Sequence, residues 1–403
     1  MAGSQLPGFA GAPIADLALY TFDGNSWEAI PFQIDEFDAS GKLVSFEDGL
    51  LDDNDELVLM AFDAGISANL SQWPLDVKAR QHIRYAIKVT DPLNPNEEVW
   101  VYLFRSTTLS HATESYVTWD PDTQTAHALD YTAVFSDTMV GMSRLRLFGS
   151  VDVLDRQKVR VDTDYPLLPT ITEETLANLL QSLEIPVDIP LAVHGPVRAA
   201  SANQDVGWSY VFYNAQFALN VALPLQDIDD FLGSRIHFES VRTSFDWRDP
   251  ATTGMSPAFY YDANTPVGVL IDGNLDTVPV APMGDWFQVS GAAGSLLTVY
   301  DLNPGAGIAE AYYRDDQAYH SSDTGDGQLF GDAGISVVAA NSDTSIGLIR
   351  LNQSFYILPA QAANQGSAYL ERWQNPLEAT AYIQGYVPPA LDFHTYLPVF
   401  AHQ

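Results

Sequence analysis

The densest group of proton-transfer side chains in this sequence is Tyr312-Tyr313-Arg314-Asp315-Asp316, with Tyr319 and His320 close behind. Removing a proton next to a uronate carboxylate needs a base such as Tyr or His, an acid for the departing oxygen, and a cation that neutralises the carboxylate. The stretch holds all three types. Alternation along a strand sends Tyr312 and Arg314 to one face and Tyr313 and Asp315 to the other, so only half of the group can share a site. His194, beside Gly195 and followed by Arg198, offers a second imidazole. In this scheme Tyr313 or His194 takes the proton and Arg314 holds the acid group, which requires His194, His320 and Arg314 to approach one cleft. The same residues also fit a structural role, with the tyrosines in the core and Arg314 paired to an aspartate.

Three acidic loops offer oxygen ligands for a hard cation. Asp52, Asn54 and Glu56 alternate within one turn, and Asp272, Asn274 and Asp276 repeat that spacing. Asp323 and Asp326 lie among Gly325, Gly327 and Gly331. Alternate oxygens in a tight loop can converge on Ca²⁺, so a structural calcium ion is the expected cofactor. Thr277 and Met283 stand where an EF-hand needs Gly and Glu, which excludes that motif. Asp, Asn and Gly are also ordinary turn formers, and an acidic chain clusters some of them without any metal.

The chain has 403 residues, no cysteine, and 52 Asp+Glu against 18 Lys+Arg, for a formal charge of −34. That field repels a phosphate backbone, so nucleic acid is excluded as a partner. The absence of cysteine removes disulfides and thiolate chemistry together. With 46% hydrophobic and 12% aromatic residues, the composition describes a cored globule with a carboxylate-rich exterior, as in proteins that work outside the cell or on its surface. Met1 to Ile14 has no basic segment and is broken by Pro7 and Pro13, so no secretion leader is read there. No long apolar run occurs, so membrane insertion is not expected.

The elements that must carry these residues are strands. Ile83 to Val89 alternates, and Val99 to Phe104 is an apolar run covered on both faces. Similar runs occupy Trp208 to Phe212, Phe217 to Ala222, Val267 to Ile271, Leu296 to Tyr300, Ile335 to Ala339 and Ile346 to Leu351. Turn dipeptides such as Asp23-Gly24 and Asp272-Gly273 punctuate them. The expected fold is all-β, a large multi-stranded antiparallel β-sandwich with one or two short helices. Thr170 and Glu173 read as a capping box ahead of Leu176, Leu179, Leu180 and Leu183, which predicts a helix stopped at Pro186. A helix or turn is expected over Leu225 to Leu232. The organisation reads as a β portion over 1–165, a helix and proline-rich seam over 166–190, and a C-terminal sandwich portion over 191–403.

Ile30-Pro31-Phe32-Gln33-Ile34-Asp35, the run Asp52 to Met60, His194-Gly195-Pro196-Val197-Arg198, Tyr312 to Asp316 and Asp323 to Gly334 resemble segments of large secreted β-proteins. These are similar to relatives of the galactose-mutarotase-like supersandwich proteins, a group rich in polysaccharide lyases and glycoside-processing enzymes. The resemblance implies a sandwich fold and carbohydrate chemistry.

Hydrolase and nucleotide signatures are missing: there is no G-x-S-x-G, H-E-x-x-H or P-loop pattern. Trp208, Tyr210, Tyr213, Phe245, Trp247, Phe259, Tyr260, Tyr261 and Trp286 crowd the middle of the chain, some as candidates for stacking on sugar rings. The combined expectation is an exported lyase or glycoside hydrolase acting on an extracellular polysaccharide. The rival from another class is a non-catalytic sheath, filament or adhesive subunit that self-associates through the terminal strand around Thr395 to Phe400.

Overall fold

Leu17-Ala18-Leu19-Tyr20-Thr21-Phe22 shows why the strands form as they do: its odd and even apolar residues enter two different cores on opposite faces of one sheet. In the computed structural model, the described residues are 1–165, 168–182, 184, 187, 189, 191–201, 207–225, 228–231, 234–253, 258–261, 268–277, 285–303, 307–321, 323–340, 345–360 and 364–389. The Thr395 to Phe400 segment, Leu183, Pro186 and Pro190 lie outside them. The chain is all-β, with strands in large antiparallel sheets and short helices. It divides into two compact units, Met1–Phe37 with Phe46–Glu114 and Pro376–Gln403, and Asp38–Ser45 with Ser115–Asn375. This division differs from the one read at 165 and 190, because the strands from Val117 to Leu154 pack into the same core as the later chain.

In the first unit the sheet order is Trp27–Ala29, Leu17–Phe22, Asn94–Arg105, Arg84–Asp91, Glu378–Gln384, antiparallel throughout. Leu17, Leu19, Ile87, Val101 and Leu103 meet Leu6, Phe9, Leu51 and Leu57 on one face. Ala18, Tyr20, Phe22, Ala86, Tyr102 and Phe104 meet Ala68, Trp73 and Ala79 on the other. The run from Val99 to Phe104 is therefore covered on both sides, as its sequence requires.

The second unit is a sandwich. A nine-stranded sheet runs Leu191–His194, Ala199–Ser201, Gly207–Phe212, Gln216–Leu225, Gly347–Leu358, Gly294–Leu302, Trp286–Gly291, Ala258–Tyr261, Val269–Leu270. A five-stranded sheet runs Leu154–Thr163, Phe238–Trp247, Leu329–Val338, Ile308–Asp316, Asp276–Thr277. Phe355 joins them, stacking on Phe217 of its own sheet at 4.5 Å and meeting Phe245 of the other edge-on at 5.3 Å. A four-stranded sheet over Val117–Asp120, Thr125–Ala128, Tyr131–Phe135 and Met142–Leu147 joins the same core. Ile228–Phe231 is a strand paired with Ser234–Ile236, not the helix or turn expected there, because four residues closed into a hairpin cannot sustain a helical period.

The five-stranded sheet positions the chemistry. Its odd-numbered residues Val241, Phe245, Ile335, Val337, Ala311 and Tyr313 belong to the core. The even-numbered residues of its central stretch carry the polar side chains: Lys158 opposes Ser244, Arg160 opposes Arg242, and Tyr312 lies opposite Gly334. A Cβ on Gly334 would collide with the Thr243 carbonyl oxygen and press on the Ser244 backbone. Gly334→Ala is expected to lower stability by about 1–3 kcal/mol, read as a shifted urea midpoint with an unchanged slope.

Candidate functional site

On the polar face of the five-stranded sheet lies a cleft of about 470 Å³, lined by Arg160, Asp162, Thr170, Thr172, Arg242, Tyr312, Arg314, His320, Asp323 and Leu329. Tyr312 and Arg314 enter it together because they are two residues apart on one strand. His320 enters from the following turn, where its backbone N–H donates to the Gly327 carbonyl at 2.7 Å.

Asp316 organises the rim. Its Oδ2 accepts from Arg314 Nη2 at 2.9 Å and lies 2.9 Å from His320 Nε2, while its Oδ1 accepts the Ala318 N–H at 3.0 Å. The Arg314 bond first, then the Ala318 amide, hold the Asp316 carboxyl below its ordinary range. His320 Nε2 also lies 3.4 Å from Arg314 Nη2; in the tautomer whose Nε2–H points to Asp316, Nδ1 carries the lone pair. Tyr312 is perturbed in the opposite sense. Burial, then the charge of Asp332, push its phenol up, so it holds its proton at neutral pH. The Arg242 guanidinium lies over the Tyr312 ring at 3.9 Å.

Beneath the cleft lies a buried ion network. Lys158, fully buried, pairs with Asp246 at 2.7 Å and Asp323 at 2.9 Å. Burial works against the Lys158 ammonium, but Asp332, Asp246 and Asp323 together raise its pKa. Asp246 is pushed up by burial and by Asp332, against the pull of Lys158. Arg160 and Arg242 oppose each other directly, an arrangement that repels unless acids intervene. Glu173, wholly buried, accepts from Arg160 and Arg156, and Asp332 lies 3.8 Å from Arg242. Arg160 also donates to Asp323 at 3.0 Å and to Thr324 Oγ1 at 2.6 Å.

Glu173 is thus not the capping residue that its spacing suggests. The helix spans Glu173–Ser182, Thr172 Oγ1 accepts the Thr175 N–H, and Glu173 turns inward to the arginines. Thr170 donates to Asp162 at 2.6 Å instead of capping. Ala177 is the buried apolar residue of the helix, with Leu176 and Leu180 half-buried and Leu179 exposed.

Of the residues singled out in the sequence, Tyr312, Arg314 and His320 meet in this cleft. Tyr313 does not: it is 3% exposed on the core face, stacked on Phe259 at 4.7 Å, as strand alternation dictates. His194 does not either; it is exposed at the end of Leu191–His194, in the nine-stranded sheet. Lys158, Arg160, Arg242, Asp246, Asp332 and Glu173 were missed. The signal for the first two is Arg156-x-Lys158-x-Arg160, three of only 18 basic residues at a strand's period.

The expected metal ligands are differently engaged. Asp323 is held by Lys158 and Arg160, so a cation site there is a misreading of a carboxylate already neutralised. Asp326 accepts the Gln328 N–H, and Asp272 accepts both the backbone and side-chain N–H of Asn274, as turn residues do. Burial, then the charge of Asp272, raise the Asp276 carboxyl. Asn54 Nδ2 donates to the Phe37 carbonyl, and buried Asp55 accepts the Asp52 N–H. Among the described residues the acids that converge are Glu47, Asp48 and Asp52, within 4.8 Å of one another. No described helix is long and apolar enough to cross a membrane. No family model and no curated protein matches the sequence.

Two stability changes follow. Glu173→Ala leaves the buried Arg160 without its main partner and is expected to cost about 3–5 kcal/mol in urea unfolding. Asp323 titrates below its ordinary 3.8: burial opposes this, but Lys158 and Arg160 prevail. Its contribution is therefore complete above 3.8 and is lost as pH falls through the lower folded value. Asp323→Asn should lower Tm at neutral pH and flatten the acid limb of the Tm–pH curve.

Proposed function

We propose that the cleft is the active site of an exported polysaccharide lyase that cleaves uronate-containing chains by β-elimination. The observation that carries this reading is the convergence of Arg160, Arg242 and Arg314 with Tyr312 and the His320–Asp316 pair, in a protein of charge −34. Each of these arginines has an acid partner here, and their meeting in one cleft of so acidic a chain supports an anionic substrate that bridges them.

Arg314 and Arg242 hold the substrate carboxylate and stabilise the enolate-like charge that develops on it. His320 Nδ1, its ring oriented by Asp316, takes the proton from the carbon next to the carboxylate. The electron pair left behind forms a carbon–carbon double bond, and the bond to the neighbouring glycosidic oxygen breaks. Tyr312, protonated at neutral pH, donates its proton to that oxygen. The reading assigns neither Tyr313 nor His194 a part in the chemistry.

A second reading, a non-catalytic surface subunit, is favoured by one observation. Among the described strands Glu378–Gln384 is the edge of its sheet and leaves Tyr382 43% and Ile383 57% exposed, a template for pairing with another chain.

The test is a panel of uronate polysaccharides, followed by the ultraviolet absorbance of the unsaturated product. Turnover is expected with at least one polymer. His320→Ala should lower kcat about 10²–10⁴-fold, and Tyr312→Phe and Arg314→Ala should each lower it about 10²-fold or more, with folding retained. No turnover on any acidic polymer, together with concentration-dependent oligomers broken by Ile383→Lys, would transfer the assignment to the surface subunit.

A further inference from the structure

The first unit contains a groove of its own, of about 860 Å³, lined by residues between Tyr20 and Trp27, between Ser71 and Arg80, and between Thr108 and Ser110. Its wall combines two kinds of surface. Trp27 and Leu75 supply aromatic and apolar area above the buried Trp73, and Leu75 is 99% exposed. Asn25, Gln72, Ser110 and Arg80 supply amide, hydroxyl and guanidinium groups. Ring faces bordered by hydrogen-bonding groups suit a sugar, whose C–H faces stack while its hydroxyls bond at the edges.

A second observation concerns Arg84, which is wholly buried behind this wall. Its guanidinium lies 4.8 Å from the Trp73 ring centre and 5.5 Å from that of Trp27. It donates to the carbonyls of Gln72 at 2.6 Å, Asn69 at 3.0 Å and Ala68 at 3.3 Å, and to Gln384 Oε1 at 2.8 Å. These bonds fix the 68–73 wall in advance of any ligand, which cuts the ordering cost of binding. Among the described residues Arg84 has carbonyl, amide and ring partners and no carboxylate, so a full positive charge lies beside the groove. Arg80, on the groove itself, donates to the Pro74 carbonyl and lies over Tyr386 at 4.9 Å. The groove also carries one acid, Asp76, whose carboxylate accepts from Ser106, Thr108 and the Ala79 amide.

We infer that this groove is a second, non-catalytic carbohydrate site that takes an acidic oligosaccharide. Trp27 forms the stacking surface, Arg80 the direct carboxylate contact, and Arg84 a fixed positive background behind the rings. The inference shares only its ligand class with the cleft reading and stands on different residues.

The test is calorimetric titration of the full-length protein with an oligouronate and with its carboxyl-reduced counterpart, in a His320→Ala background so that ligand is not consumed. Saturable binding is expected that Arg80→Gln weakens about tenfold. Asn25→Ala should weaken it by a smaller factor. Both variants should unfold at the temperature of the parent, which separates lost binding from lost structure. Arg242→Gln should leave this binding unchanged, and the carboxyl-reduced ligand should bind about tenfold more weakly. The inference is overturned if Arg242→Gln abolishes all binding, if Arg80→Gln changes none of it, or if the reduced ligand binds equally well. Groove binding that persists when no polymer is turned over would leave this site standing and remove the lyase reading alone.

Discussion

The second unit depends on how one sheet reconciles two incompatible faces. The inner face of the five-stranded sheet is apolar and close-packed, with Phe245 and Ile335 fully buried. The outer face carries Lys158, Arg160, Arg242, Asp246 and Asp332 at strand spacing, much of it equally buried. Two arginines directly opposed on neighbouring strands would push the sheet apart. Glu173 from the helix and Asp323 from the loop after His320 offset that repulsion. Helix, loop and sheet are therefore held together by charge at the place where the cleft opens.

That network gives the cleft its properties. Ions compensated from below stay fixed in position, whereas exposed pairs are mobile and screened. Arg314 and His320 share one carboxylate oxygen of Asp316, so the cation and the imidazole are set relative to each other before any ligand arrives. Tyr312, flanked by Arg242 and within the field of Asp332, is kept in its protonated form. The acid and base of the proposed reaction differ in environment while lying on the same short length of chain.

The first unit solves a related problem with one residue. Arg84 is buried among Trp27, Trp73, Tyr102 and Phe104, and its donors are spent on loop carbonyls. Burial lowers its pKa to about 10, which still leaves it charged at neutral pH. A cation held this way stiffens a loop and biases the adjacent groove toward anions, two effects that a neutral residue could not combine.

The all-β class and most of the strands between Arg84 and Leu351 were legible because apolar alternation has a period set by the backbone alone. Alternation also separated Tyr312 and Arg314 from Tyr313, and the structure keeps that separation. What no spacing revealed is which strands lie side by side. Arg160, Arg242 and Arg314 are far apart in the chain, and only the strand order places them over one cleft. Asp323 read as a cation ligand because its neighbours in sequence are glycines and acids, while its neighbours in space are Lys158 and Arg160. Local pattern determines which face a side chain takes; the pairing of distant strands determines the charges it meets there, because electrostatic energy depends on separation in space.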